Sequence, residues 1–189
     1  MLERIITNNI LIAHEMLHYL KSKRMGKLGF MTLKFDISKA YDRIEWIFLK
    51  QIMVKMGFNQ KFILLISMSI RSVTYSIMLN KQPHGLINQR RGLRQGDPFF
   101  SYLFLLVTKG LHALLKKAKS NGEIRGVSLC AVGPRVSHLL FANDSLVFYR
   151  STISKYVKVQ SILNLYEQAS GQNINRGKTN IFFSSNTST

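Results

Sequence analysis

The chain has 189 residues, 46% of them apolar, enough to bury a core and to exclude wholesale disorder. Lysine and arginine number 27 against 9 acids, giving a net charge of +18. That balance points to a polyanionic partner, nucleic acid ahead of an anionic membrane, with a merely solubilising basic surface as the plainer alternative.

The first element is a predicted helix over residues 3–22, with apolar positions at Ile6, Ile10, Leu11, Leu17 and Leu20. Glu3, His14, Glu15 and His18 interrupt any secretory pattern there, so secretion is not expected, and nucleus or cytoplasm is left open. A basic, glycine-containing connector leads to a short apolar strand, Phe30 to Asp36, that ends on an acid. Asp42 and Glu45 have the spacing of a capping box, opening a helix that Gly57 would stop. A second helix covers about 60–72, and residues 73–91 read as two strands around a turn at Pro83-His84-Gly85. Pro98 suits the first turn of a long helix that ends in the cations near Lys119, with Gly122 beyond. The longest apolar stretch, Pro98 to Val107, is broken by Ser101 and is too short to span a bilayer, so no membrane partner is expected.

Residues 124–132 and 135–141 predict a strand pair around Gly133-Pro134, with Cys130, the single cysteine, as a buried bystander. A tight turn over 141–145, a returning strand over 146–149, a helix at about 154–169 and a strand at about 178–183 follow. The polar residues from Asn180 onward are expected to fray. Helices mixed with antiparallel strands indicate an α+β fold.

In so basic a chain, acids at the ends of apolar strands call for an explanation. Asp36 closes one strand and Asp144 sits in a turn between two others. A lone desolvated carboxylate is costly, whereas carboxylates converging from separate strands supply the hard oxygen ligands of a magnesium site. On spacing alone the plainer reading, that both acids cap or turn the chain locally, is the stronger one. The histidines show no metal-binding spacing: His14 and His18 lie four apart on a helix without an evident third ligand.

Four segments in order change that weighting. Phe35-Asp36-Ile37-Ser38-Lys39-Ala40-Tyr41-Asp42-Arg43-Ile44-Glu45-Trp46 resembles the first palm motif of LINE-type (non-LTR) reverse transcriptases of the plant kind. Arg91-Gly92-Leu93-Arg94-Gln95-Gly96-Asp97-Pro98 resembles their second motif, and Leu139-Leu140-Phe141-Ala142-Asn143-Asp144-Ser145-Leu146 their third. Gly171-Gln172-Asn173-Ile174-Asn175, followed by Lys178, resembles the fourth.

The resemblance implies a reverse-transcriptase palm, an antiparallel sheet with packed helices. Residues 1–29 would be partial fingers and 30–189 the palm with fingers elements, without a thumb. It implies Mg²⁺ held by Asp36 and Asp144, with Asn143, Asp144 and Lys178 at the catalytic centre beside Asp36. Lys178 matches a position proposed to protonate pyrophosphate. Ile37, Tyr41, Arg94, Gln95 and Gly96 would contact the incoming nucleotide, Tyr41 by stacking under its sugar; an ordinary core aromatic is the alternative for that ring. Arg90, Arg91 and Arg94 are candidate phosphate contacts or simply a solvated basic loop, and Asp97 is expected to cap the long helix. Implied partners are an RNA template, a DNA primer and a deoxynucleoside triphosphate, with no protein partner indicated.

Three departures stand out. The third motif of the family carries two adjacent aspartates, and here the first is Asn143, a neutral residue. Phe99-Phe100-Ser101 stands where the family reads Leu-Ser-Pro, and Lys109 where an acid is common. The expectation is therefore a polymerase fold with little or no activity, from a degenerate copy. The alternatives are a non-catalytic basic nucleic-acid-binding remnant and an unrelated RNA-binding module, for which no stacking platform is evident.

Overall fold

The computed structural model describes residues 6–130, 133–141 and 144–187. Helix α1 (Ile6–Ser22) precedes strand β1 (Phe30–Ser38), and helices α2 (Trp46–Lys55) and α3 (Gln60–Arg71) follow. Strands β2 (Thr74–Leu79) and β3 (Gln82–Asn88) form a separate hairpin, and α4 runs from Pro98 to Ser120. Then come β4 (His138–Leu140), β5 (Asp144–Arg150), α5 (Ile153–Ser170), β6 (Asn173–Ile174), a 3₁₀ turn (Arg176–Lys178) and β7 (Asn180–Phe183). The fold is α+β, built on an antiparallel sheet as the sequence predicts.

Two compact units divide the chain. The first holds Met1–Ser38, Leu111–Leu165 and Ile174–Thr189; the second holds Lys39–Gly110 and Tyr166–Asn173. In the first unit β1 is the central strand, with β5 and then β4 on one side and β7 pairing along the other. Register runs without interruption from Phe30 opposite Arg150 to Asp36 opposite Asp144. One face of the sheet is closed by α1. Ala13, Met16 and Leu20 recur at helical spacing and pack in one cluster with Leu139, Leu146 and Phe148. Leu33, Phe35, Val147 and Tyr149 alternate onto the opposite face and are buried as well, which explains why β1 reads as a nearly continuous apolar run.

Several local expectations are corrected. The buried stripe of α1 is Ala13, Met16 and Leu20, while Ile10 and Leu11 are exposed. The hairpin turns at Asn80-Lys81, both with positive φ (48° and 65°), as a two-residue loop of that twist requires; Pro83-His84-Gly85 lies within β3. Residues 124–130 make only an isolated bridge, Val127 to Val136, in place of a strand pair. Cys130 is exposed, since the bridge ends three residues before it. The end of the chain does not fray at Asn180: β7 pairs with Met31–Lys34, and Asn186 donates to the carbonyls of Gly26 and Leu28.

Helix α4 is, by length and composition, long and apolar enough to cross a membrane. Its buried positions are Phe100, Leu103, Phe104, Val107, Leu111, Leu115 and Ala118, the three- and four-residue spacing of a helix burying one face. Asp97 caps it as expected, accepting from the backbone N–H of Phe99 at 2.9 Å.

Candidate active site

In the first unit the two strand-end acids meet. Asp36 and Asp144 are register partners on neighbouring antiparallel strands, so both side chains leave the same face of the sheet. Directly opposed carboxylates repel, and two lysines offset that charge. Lys34 Nζ lies 4.0 Å from Asp144 Oδ2 and Lys178 Nζ 3.7 Å from Asp36 Oδ2. These are partly exposed pairs, of little weight for stability, so their importance is the local field.

The delivery of Lys178 is explicit in the backbone. Asn175 donates its N–H to the carbonyl of Asp36 at 2.8 Å, and its side-chain oxygen accepts from the N–H of Lys178. A short 3₁₀ turn is thereby fastened to the end of β1 with its lysine over the acid. Ile37, next along β1, has a buried side chain, which leaves only its backbone for a ligand. The hairpin before Asp144 is closed by the Phe141 N–H donating to the Asp144 carbonyl; Ala142 and Asn143 lie outside the described residues.

The second unit carries the other singled-out residues. Tyr41 is half-buried and stacks on Phe104, with centroids 4.4 Å apart and planes 12° from parallel. Arg90, Arg91, Arg94, Gln95 and Gly96 are exposed, and Arg91 faces Glu45 at 3.9 Å. Gly96 has φ +90° with open space where a Cβ would stand. The tight glycine of this loop is Gly92. A Cβ there would sit 2.6 Å from the Asp42 carbonyl oxygen, its N–H donates to Ile44, and its carbonyl accepts from Trp46 Nε1. The capping box does not form. The helix starts at Trp46, so Glu45 is itself the N-cap of α2, without a side-chain cap bond, and its carboxylate faces Arg91.

Phe100, one of the two bulky departures, is buried and meets Phe99 edge-on at 5.6 Å, while Phe99 is exposed. Lys109 is exposed.

Sequence reasoning missed the work done by the fourth motif in this unit. Gln172 is buried, donates from Nε2 to the Ala40 carbonyl at 2.7 Å, and accepts from the Tyr166 hydroxyl. Burial holds that phenol well above its ordinary pKa, so it remains a donor. Gly171, at φ +75°, has no room for a side chain, since a Cβ there would sit 2.6 Å from the Arg43 carbonyl oxygen, and the Ser170 carbonyl accepts from the N–H of Glu45. The glycine–glutamine pair buckles the fourth motif onto the first. A polar residue beside glycine was the available signal, but only the fold reveals its target.

A histidine pair was also missed. His138 Nε2 and His112 Nδ1 are 2.8 Å apart, and His138 Nδ1 is 2.9 Å from the Ser137 hydroxyl. Burial first, then the charges of His112 and Lys119, lower the His138 pKa from 6.5 to about 4. Between those values the unfolded chain binds the proton and the folded chain does not, so stability falls as pH drops through that window. The expected loss is roughly 2–3 kcal/mol by about pH 4.5, read from urea midpoints, and His138→Gln should flatten it.

The sequence matches the family described as "Reverse transcriptase (RNA-dependent DNA polymerase)" over residues 4–188. The chain belongs to the reverse transcriptase family. Similar relatives are the Pol polyprotein of the type-1 retrotransposable element R2 from Popillia japonica (27% identical, 69% of this chain, 20% of that one) and an uncharacterized transposon TX1 protein from Xenopus laevis (24%, 93% and 13%). An uncharacterized mitochondrial protein of Arabidopsis thaliana is 44% identical over 68 residues, 36% of this chain and 56% of that one. The chain thus spans about half, or much less, of the relatives it matches. Telomerase from Candida tropicalis shares the fold, with a TM-score of 0.65 at 18% identity, covering 97% of this chain and 35% of that one. This is a reverse transcriptase domain related to those of non-LTR retrotransposons, with a palm-like α+β fold. The family copies RNA templates and uses divalent metal ions.

Proposed function

We propose that the carboxylate pair is the polymerase centre of an RNA-directed DNA polymerase, neutralised in part by Asn143. One observation carries the reading: Asp36 and Asp144, 108 positions apart in sequence, stand opposite each other at the last register position of the β1–β5 pair. Two hard carboxylates on one sheet face fit Mg²⁺ by donor chemistry, although among the described residues no group of three potential ligands converges. Magnesium there would activate the primer hydroxyl and balance charge on the leaving pyrophosphate.

The chain's own residues take the remaining roles. Asp36 and Asp144 would hold the ions, and Lys34 and Lys178 offset the repulsion between the two carboxylates. Lys178, carried by its 3₁₀ turn, donates a proton to the departing pyrophosphate oxygen from its place beside Asp36. The backbone of Ile37 and the side chains of Tyr41, Arg94 and Gln95, with Gly96 sparing a Cβ, bind the deoxynucleoside triphosphate. The DNA primer and RNA template supply the other substrates. Residues 1–29 are read as fingers and 30–189 as the palm with fingers elements. Asn143 supports a second reading, a nucleic-acid-binding remnant, for present activity: an amide oxygen can touch a cation but contributes no charge.

The test is primer extension on an RNA template with Mg²⁺. The native chain should extend little or not at all, Asn143→Asp should extend, and adding Asp36→Asn to that variant should abolish synthesis. Robust extension by the native chain would defeat the neutralised-site reading.

A further inference from the structure

The opposite end of the same strand pair holds a second feature. A cleft of about 480 Å³ opens in the first unit beside Phe30 and Arg150, the register partners six residues up β1 from Asp36. Five cations line it: Lys23, Lys27, Arg125, Arg135 and Arg150. No carboxylate is among its described lining residues. Arg125 and Arg135 also line a neighbouring depression, where Lys119 adds a sixth positive charge. Concentrating cations without a counter-charge costs self-repulsion, which an anionic ligand relieves.

Two details give the cleft a nucleic-acid character. Arg150 Nε is buried and has no hydrogen-bond acceptor among the described residues, an expense that a phosphate oxygen would remove. Lys23 Nζ stands 5.8 Å from the ring centroids of both Tyr19 and Phe30, so aromatic faces and charge share one wall. A concave site of this mixture suits a single strand, whose bases and phosphates are both accessible, better than a duplex.

We propose that this cleft binds the phosphodiester backbone of single-stranded RNA, at a site roughly 20 Å along the sheet from the carboxylate pair. The choice of RNA over DNA rests on the reading of the chain as an RNA-copying enzyme; the cleft itself does not depend on it. Held here, an RNA strand is retained by contacts separate from those made at the polymerase centre.

The only cysteine provides a reporter, because exposed Cys130 lines the cleft. An oligouridylate of about 12 nucleotides is expected to slow alkylation of Cys130 several-fold, and Asp36→Asn should leave that protection in place. R125E/R135E should weaken binding of the labelled RNA about tenfold and reduce its salt slope by about 1.4, while K55E/K61E on the second unit changes affinity less than about twofold. R125Q/R135Q serves the same purpose if charge reversal prevents folding. Unchanged Cys130 reactivity with RNA bound, or equal losses from the two double variants, would overturn the site. Equal protection by oligodeoxythymidylate would overturn its assignment to RNA, and protection by phosphatidylserine vesicles alone would make it a membrane contact.

Discussion

Asn143→Asp is expected to raise primer extension on RNA by about 10²- to 10³-fold over the native chain. The magnitude follows from what the substitution adds. Asn and Asp have nearly the same shape and similar backbone preferences, so the substitution changes charge more than fit. What changes is one formal negative charge beside divalent ions and a triphosphate, together with removal of an NH₂ group that cannot ligate a cation. A single preorganised electrostatic group of this kind carries about 3–4 kcal/mol of transition-state stabilisation. Steady-state extension rates should show the gain mainly in kcat, because the charge acts where charge develops. Asp36→Asn in the restored chain removes the partner ligand and should cancel the gain entirely. Asp36 is reachable by the same logic as Asp144: its carboxylate is only partly buried, with Lys178 at 3.7 Å.

Gln172→Ala is expected to destabilise the second unit by about 2–4 kcal/mol. The wild-type amide satisfies two buried groups at once, the Ala40 carbonyl and the Tyr166 hydroxyl. Truncation strands both, and each stranded buried group costs about 1–3 kcal/mol. Tyr166 has one further acceptor nearby, the Val107 carbonyl at 3.5 Å, which limits the loss. Urea unfolding should show a lower midpoint with an unchanged slope. Because Ala40 immediately precedes Tyr41, the same substitution made in the Asn143→Asp chain should also raise KM for the nucleotide if Tyr41 binds it as proposed. A midpoint within error of the wild type would show that water replaces the amide without cost.

The strand that carries Asp36 was legible because burial on both faces makes it mostly apolar, but it does not end on the acid: β1 runs on through buried Ile37 to Ser38. Pairing of Asp36 with Asp144 was not legible, since spacing of 108 residues says nothing about register; only the resemblance of the third motif joined them. The capping box at Asp42 and Glu45 fails because α2 starts at Trp46, which puts Glu45 at the N-cap and leaves Asp42 outside the helix. The turn was misplaced at Pro83-His84-Gly85 because Asn80 and Lys81 supply the positive φ, and lysine gives no compositional hint of it. Gln172 and the His112–His138 pair depend on contacts across 132 and 26 residues, beyond the reach of any local pattern. Cys130 was expected inside on residue type alone, whereas it is exposed, three residues beyond the isolated Val127–Val136 bridge.

Manganese binding, followed by its effect on water-proton relaxation, tests the central claim most directly, since it reads the carboxylate pair without requiring synthesis. The native chain should bind Mn²⁺ weakly, Asn143→Asp about tenfold or more tightly, and Asp36→Asn or Asp144→Asn should remove binding from the restored chain. Mn²⁺ affinity that is unchanged by either aspartate substitution would contradict the assignment of Asp36 and Asp144 as the metal centre.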